Sequence, residues 1–164
     1  MDMYNSDGSQ AEMCGNATRC VGKYVYDRGL TDKTQITLET LAGIKILDLN
    51  VKDGEVQTVR VNMGSPELVP KNIPIDSNLD RFISEDVEVD GKVYKVTCVS
   101  MGNPHAVTFI DDTDSLEIEK IGPKFETHKL FPKKINTEFA QIVDRNTIKM
   151  RVWERGAGET LACG

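Results

Sequence analysis

The sequence has no long hydrophobic run, few aromatic residues and no excess of positive charge. No apolar stretch approaches the ~20 residues that a membrane-spanning helix needs, and no charged-then-apolar leader opens the chain. The 20 Lys and Arg residues are outnumbered by 26 Asp and Glu, whereas binding to nucleic acid phosphates requires a basic face. We therefore expect a cytoplasmic protein whose partner is neither nucleic acid nor a membrane.

Cysteine is scarce and irregularly spaced. The four cysteines are Cys14, Cys20, Cys98 and Cys163, and no two of them form a C-x-x-C pair. This spacing supports neither a zinc knuckle nor a thioredoxin-type redox motif. Cys98 lies in the alternating run YKVTCVSM, which predicts a buried thiol on a strand.

One helix is clearly predicted near the N-terminus. Residues 16–28 have apolar side chains at helical spacing, and Gly29 follows as a C-terminal stop. The predicted apolar face consists of Ala17, Cys20, Val21, Tyr24 and Val25. Its N-terminus falls directly after Cys14.

Alternating β-branched runs predict antiparallel strands in both halves of the chain. The first half has runs at 34–40, 43–51 and 55–63, with a hairpin turn at Asp53-Gly54. The second half has a hairpin over 86–101 that turns at Asp90-Gly91, and further strands at 105–110, 135–143 and 147–154. A short helix is predicted at 115–120 and ends near Gly122-Pro123. The pattern predicts a strand-rich fold with few helices rather than a βαβ series.

Two features indicate two lobes, over residues 1–62 and 63–164. The segment 62–74 carries three prolines and little periodicity, which is typical of a linker. The chain also contains a weak internal repeat in which a strand end with an aromatic residue leads through a small-residue loop to Cys-Gly. The two copies are residues 3–15 and 152–164, with Cys14 aligned on Cys163 and Gly15 on Gly164.

A Cys-Gly pair that opens a helix has a defined chemistry. The backbone N–H groups at a helix N-terminus are free to bind an anion, and the same position favours the thiolate. Two such thiols could face one carboxylate-bearing substrate from opposite sides. One would remove the proton from the carbon next to the carboxylate and the other would return a proton to the opposite face, which inverts that centre.

Four motifs in order resemble the diaminopimelate epimerase family over essentially the whole chain. They are EMCGNATRC (12–20), MGNPHAV (101–107), GPKFETHKLFPKKINTEFA (122–140) and WERGAGETLACG (153–164). The resemblance implies an α+β fold of two pseudo-symmetric lobes, each a mostly antiparallel β-structure wrapped round a central helix, with the site between them. It also implies cofactor-independent interconversion of LL- and meso-diaminopimelate in lysine and peptidoglycan-precursor synthesis, and allows a homodimer.

The resemblance assigns roles to individual residues. Cys14 and Cys163 resemble the two catalytic thiols. His105 and Glu154 resemble polar groups that assist thiol ionisation. The residues that resemble substrate contacts are Gly15, Asn16 and Gly164 at the reacting carboxylate, and Asn5, Asn103, Asn136, Glu154 and Arg155 at the distal end. No metal or other cofactor is implied.

Structural roles for the same residues stay open at this point. Histidines such as His105 and His128 are commonly surface or hydrogen-bonded residues, and asparagines in turns commonly bond nearby backbone. Trp153 is typical of core packing. Two alternative functions also remain: a racemase of the proline or hydroxyproline type, and a non-catalytic binding module. Asn16, where those racemases usually carry histidine, and Arg155 favour diaminopimelate.

The sequence also departs from the family. The family has a further N-terminal segment and a C-terminal segment that begins after the second Cys-Gly, and neither is in these 164 residues. We therefore expect an incomplete form of the fold, with apolar strand faces uncovered in the second lobe and little or no activity from this chain alone.

Overall fold

A computed structural model describes residues 1–5 and 8–161. The chain divides into two compact units, Met1–Ser65 and a second that begins at Pro66. In each unit the described residues form mostly antiparallel strands and one α-helix, which confirms the predicted α+β class. No helix in these ranges combines the length and apolar character that crossing a membrane requires.

The first unit contains a small hairpin, a helix and a three-stranded sheet. Its elements are β1 (Met3–Tyr4), β2 (Gln10–Ala11), α1 (Gly15–Asp27), β3 (Gln35–Thr40), β4 (Gly43–Lys52) and β5 (Glu55–Asn62). β3, β4 and β5 form the predicted antiparallel meander. Asp53 and Gly54 join the last two strands with φ of 55° and 82°, the left-handed geometry of a type I′ hairpin turn.

Helix α1 presents a different face to the sheet from the one that its sequence predicts. Thr18 and Gly22 are buried, whereas Cys20 is exposed and Tyr24 is 58% exposed. The reason is the close approach at Gly22, where an added Cβ would lie 2.9 Å from Cδ2 of Leu47. Gly22, which has no side chain, therefore lies against the sheet. The prediction that Cys20 and Tyr24 lie on the packed face was wrong.

The second unit is built on one six-stranded sheet. Its elements are a 3₁₀ turn at Pro70–Asn72, β6 (Glu85–Val89), β7 (Lys92–Ser100), β8 (Pro104–Phe109), α2 (Ile118–Glu126), β9 (Asn136–Asp144), β10 (Thr147–Glu154) and β11 (Gly158–Thr160). The strand order is β11-β10-β9-β8-β7-β6. Both predicted hairpins are present, with turns at Asp90-Gly91 and between Asp144 and Thr147.

The pairing of β8 with β9 is parallel, and α2 lies between these strands in the chain. This βαβ unit was not predicted from the sequence. Its consequence for the site is direct, because parallel strands begin at the same edge of a sheet. His105, near the start of β8, is paired with Asn136 at the start of β9.

Helix α2 begins later and ends later than predicted, running from Ile118 to Glu126 with Gly122 and Pro123 inside it. The interpretation of Gly122-Pro123 as a stop was wrong. Gly122 is instead a contact position, since an added Cβ would lie 2.4 Å from Cδ2 of Trp153. Pro123 removes one backbone donor, and the burial of Phe125, two residues further on, holds the helix to the sheet.

The core of the second unit lies between α2 and one face of the sheet. Phe125 packs edge-to-face on Tyr94 and Phe139, with ring centroids 5.1 and 5.3 Å away. Trp153 belongs to this core, as its residue type predicts. Cys98 is fully buried on β7, which confirms the prediction of a buried thiol on a strand. Burial, followed by the charge of Glu138, raises the pKa of this thiol to about 12.

The opposite face of the sheet carries exposed apolar side chains. Alternation along β9 and β10 places Ile142, Ile148 and Met150 away from buried Phe139, and all three are exposed. Phe109 on β8 is exposed as well. The predicted uncovered apolar strand surface is therefore present.

Candidate active site

In the first unit, Cys14 occupies the N-cap position of α1. Its backbone is extended, with φ of −139° and ψ of 113°, and its carbonyl accepts the first helical hydrogen bond from the N–H of Thr18 at 3.0 Å. Its side chain makes no capping hydrogen bond, and the first turn contains no acidic residue. The half-buried thiol thus lies at the positive end of a helix dipole, which stabilises a negative charge.

The residues around Cys14 hold this helix start in place. Met13 is buried, and the Thr18 hydroxyl donates to the carbonyl of Gly15 at 2.8 Å. Asn16 accepts a hydrogen bond from the guanidinium of Arg19 one turn later. The predicted contacts Gly15 and Asn16 therefore form the first turn of α1, next to the thiol.

Asn5 lies in the turn between β1 and β2. Its backbone N–H donates to the carbonyl of Ser9 at 2.8 Å, and its side-chain Nδ2 donates to the Ser9 hydroxyl at 3.1 Å. Asn5 thus stabilises its own hairpin, the structural role that asparagine commonly has in turns. Its amide oxygen is the atom that these two bonds leave for a ligand.

In the second unit, predicted site residues from three strands meet at one edge of the sheet. His105 is the second residue of β8, Asn136 is the first of β9 and Glu154 is the last of the antiparallel β10. Arg155 follows in the turn to β11, and Asn103 directly precedes β8. The parallel pairing of β8 with β9 makes this grouping possible.

The Asn136 side chain connects neighbouring segments at this edge through two hydrogen bonds. Its Nδ2 donates to the carbonyl of Pro104 at 3.0 Å, and its Oδ1 accepts from the backbone N–H of Arg155 at 2.9 Å. The side chain is buried, so these bonds form in a region of low dielectric constant. Asn136 therefore positions the segments that carry His105 and Arg155, whether or not its remaining N–H contacts a ligand.

Glu154 and Arg155 have partners within the turn that follows β10. Glu154 Oε1 accepts from the hydroxyl of Thr160 at 2.6 Å. The Arg155 guanidinium donates to the carbonyl of Lys133 at 3.3 Å and is partly exposed. Hence the pair is held in a defined turn and is not a freely solvated surface pair.

Glu126, which the sequence analysis did not identify, supports the same turn from the end of α2. Its buried carboxylate accepts from the indole Nε1 of Trp153 at 2.7 Å and from the N–H of Gly156 at 3.1 Å, and it pairs with Lys134 Nζ at 3.0 Å. Burial alone would raise the pKa of Glu126. The hydrogen bonds from Trp153, Lys134 and Gly156 outweigh it, so the pKa lies below its usual value.

This carboxylate gives the second unit a defined pH dependence. A depressed pKa means that ionised Glu126 stabilises the fold at pH values above the ordinary glutamate pKa, and that this contribution is lost as the pH falls through the depressed value. We expect Glu126→Gln to lower the free energy of unfolding by about 1–3 kcal/mol at pH 7. Below pH ~4 the free energy of unfolding should fall less steeply with pH in the variant than in the unchanged protein. Urea denaturation followed by Trp153 fluorescence measures both.

The matched control is Glu119→Gln, an exposed glutamate in the first turn of the same helix. It should change the free energy of unfolding by less than about 1 kcal/mol. Equal losses for the two variants would show that the buried hydrogen bonds of Glu126 do not carry the effect.

His105 has a buried partner that the sequence analysis also missed. Its Nδ1 lies 2.6 Å from Oε1 of Glu138, and the side chains are 12% and 7% exposed. The signal was present in the sequence, because strand alternation places Glu138 on the same face as Asn136 and opposite Phe139. His128, in contrast, bonds the backbone of Leu130 and of the distant Glu88, and its ring centroid lies 5.8 Å from that of Phe131, a structural role.

Two predicted site residues, Cys163 and Gly164, lie outside the described residues. Within the described residues, no group of three His, Cys, Asp or Glu side chains is arranged to hold a metal ion.

Comparison with known proteins identifies the family. The family described as Diaminopimelate epimerase matches residues 1–69 and 97–164. A diaminopimelate epimerase of Acetivibrio thermocellus is 65% identical, and one of Methanococcus maripaludis is 58% identical, each over 164 residues. Both alignments cover 100% of this chain and 59% of the relative, so the chain spans about three-fifths of the length of these relatives.

Solved structures share the fold at low sequence identity. A hydroxyproline epimerase of Agrobacterium vitis has a TM-score of 0.71 at 12% identity, covering 92% of this chain and 47% of that one. A probable proline racemase of Agrobacterium radiobacter has a TM-score of 0.66 at 15% identity, covering 92% and 48%. The fold is thus shared with amino-acid racemases, and the sequence match is more specific: the chain belongs to the diaminopimelate epimerase family.

Proposed function

We propose that these residues belong to a diaminopimelate epimerase that interconverts the LL and meso isomers by a two-base, cofactor-independent proton transfer. The thiolate of one cysteine, Cys14 or Cys163, removes the α-proton, and the thiol of the other donates a proton to the opposite face of the same carbon. The carbanion receives the new proton as the old one leaves on the first sulfur, so the atoms and charges balance. The product supplies lysine and peptidoglycan-precursor synthesis.

The observation that carries this proposal is the position of Cys14 at the N-cap of α1. Abstraction of an α-proton needs a base that is charged near neutral pH, and a helix N-terminus favours a thiolate. The N–H groups of Gly15 and Asn16 in the first turn can bind the reacting carboxylate. A carboxylate held there would carry its α-carbon close to the sulfur.

The second unit supports the choice of a substrate with a distal amino-acid group. Arg155 can bind a distal carboxylate through two parallel hydrogen bonds, and its backbone N–H is already fixed by Asn136. Asn103, Asn136 and Glu154 add polar groups that suit an ammonium and a carboxylate. We propose that His105 and Glu154 assist the ionisation of the two thiols, and that Asn5 and Gly164 complete the contacts.

The experiment that tests the substrate uses a protein of full family length. In a chimera, this chain replaces the matching 164 residues of the Acetivibrio thermocellus relative. We expect the chimera to epimerise LL-diaminopimelate and to leave L-proline and trans-4-hydroxy-L-proline unchanged, as measured by chiral chromatography. The parent enzyme is the control for folding and assay.

Inversion of either proline substrate, without turnover of diaminopimelate, would replace the proposal with a proline-type racemase. A folded chimera inactive on all three substrates would favour a binding module. In that case the thiols should also react with iodoacetamide at the slow rate of ordinary cysteines at pH 7.

A further inference from the structure

His105, which the proposed function assigns to thiol ionisation, makes a buried contact with Glu138, to which no role has been assigned. The two residues are on the adjacent parallel strands β8 and β9, on the same face of the sheet. Nδ1 of His105 is 2.6 Å from Oε1 of Glu138. At 12% and 7% exposure, both side chains are largely withdrawn from solvent, so their interaction is poorly screened.

The chemistry of the pair fixes the position of one proton. An ionised glutamate has only acceptor oxygens, so the imidazole is the donor in this hydrogen bond and Nδ1 carries the proton. The ring therefore donates through Nδ1, whether it is neutral or charged. In the neutral ring this leaves the lone pair on Nε2, the nitrogen that points away from Glu138.

We propose that Glu138 is a positioning residue: it orients the His105 ring and holds it in the Nδ1–H tautomer, so that Nε2 is the atom that exchanges a proton at the site. The proposal rests on the proposed function of His105. It assigns the direct role to His105 and an indirect one to Glu138, which acts on the reaction through the ring.

The strand register explains why this glutamate can have that role. His105 is paired with Asn136, and Glu138 lies two residues further along β9, on the same face as Asn136. The Asn136 side chain also holds the backbone of Pro104 on β8 and of Arg155 after β10 through hydrogen bonds. Glu138 therefore contacts the ring from a strand whose position is already determined.

The chain contains an internal reference for the test, because it has only two histidines. In His128, Nε2 lies 3.1 Å from the carbonyl of Glu88, and Nδ1 accepts from the N–H of Leu130 at 3.3 Å. A carbonyl can only accept, so His128 must carry its proton on Nε2. The two histidines should therefore be opposite tautomers.

Nitrogen-15 NMR of the histidine rings at a pH where both are neutral measures this directly. We expect His105 as the Nδ1–H tautomer and His128 as the Nε2–H tautomer, assigned with His128→Gln. Glu138→Gln keeps an acceptor and should retain the His105 tautomer, whereas Glu138→Met, of similar length without an acceptor, should lose it. Glu88→Met, at an exposed strand position, should change neither ring.

Activity of the chimera supplies the second readout. Glu138→Met should lower kcat by about 10- to 100-fold with KM within about threefold, because the substrate contacts are unchanged and the proton transfer is impaired. Glu138→Gln should retain more activity than Glu138→Met. A rise in KM at unchanged kcat would contradict a positioning role.

The two proposals fail separately. His105 found as the Nε2–H tautomer in this chain, with an active chimera, would overturn the assignment of Glu138 and leave the epimerase function standing. His105 found as the Nδ1–H tautomer in this chain, with a folded chimera that lacks epimerase activity, would overturn the proposed function alone. Should Glu138→Met fail to fold, the wild-type tautomer and Glu138→Gln still decide the question.

Discussion

Replacement of Cys14 or of Cys163 by alanine in the chimera should lower kcat for epimerisation by about 10⁴-fold or more. In the proposed mechanism each thiol carries out one of the two proton transfers, and neither can substitute for the other on the opposite face of the carbon. The double variant should lose little more than either single variant, because the two groups act as one unit. Steady-state assay with LL-diaminopimelate measures all three.

The control is Cys20→Ser, which changes an exposed cysteine on the same helix, six residues after Cys14. Its kcat should remain within about threefold of the unchanged protein, as expected for a surface substitution. Activity of the Cys14→Ala variant within about tenfold of normal would show that this thiol is not one of the two proton carriers.

Gly122→Ala should destabilise the second unit, lowering the free energy of unfolding by about 2 kcal/mol. The added Cβ would lie 2.4 Å from the ring of Trp153, which must move. That ring is buried and its Nε1 is bonded to Glu126, so movement disturbs the turn that carries Arg155 as well. Trp153 is the one tryptophan of the chain, and its fluorescence follows unfolding of this unit.

Gly22→Ala is the matched control in α1. Its Cβ would lie 2.9 Å from Cδ2 of Leu47, the far end of a flexible side chain, and alanine favours a helix over glycine by about 1 kcal/mol. We expect a loss of less than about 1 kcal/mol, measured by circular dichroism. If Gly22→Ala and Gly122→Ala lowered the free energy of unfolding equally, the rigid ring of Trp153 would not be the cause of the effect at Gly122.

Local patterns were sufficient to predict most individual elements. Period-two alternation predicted β3 to β10, but not β11 or the short β1-β2 hairpin. Asp53-Gly54 and Asp90-Gly91 predicted tight hairpins because these pairs accept left-handed backbone. Gly29 with helical spacing before it predicted α1 to within one residue. Turns, alternation and helix ends are determined by residues that are close together in the chain, so they can be predicted from the sequence alone.

Features that depend on distant contacts were not predicted. Gly122 has the sequence appearance of a helix stop, and only its approach to Trp153 shows why a glycine lies inside α2. The apolar face of α1 was assigned by periodicity, whereas the close approach of Gly22 decides the orientation. The parallel pairing of β8 with β9 joins strands separated by a helix.

The candidate site shows the same division. Cys14 could be placed at a helix start from local pattern, and His105, Asn136 and Arg155 from resemblance. Strand alternation places Glu138 on the same face as Asn136, but neither alternation nor resemblance identifies its histidine partner. Glu126, at the end of α2, has no such signal in the sequence. Burial and the donor atoms around each carboxylate identify them.

The most direct test of the two-thiol account is the fate of solvent deuterium during early turnover. The chimera is given LL-diaminopimelate in deuterated water, and product and remaining substrate are analysed by mass spectrometry at about 5% conversion. Because one thiol removes the proton and the other, already exchanged with solvent, returns a deuteron, the meso product should carry deuterium at the inverted α-carbon and the recovered substrate should not. Equal labelling of recovered substrate and product would show a single base acting on both faces, and would contradict the account.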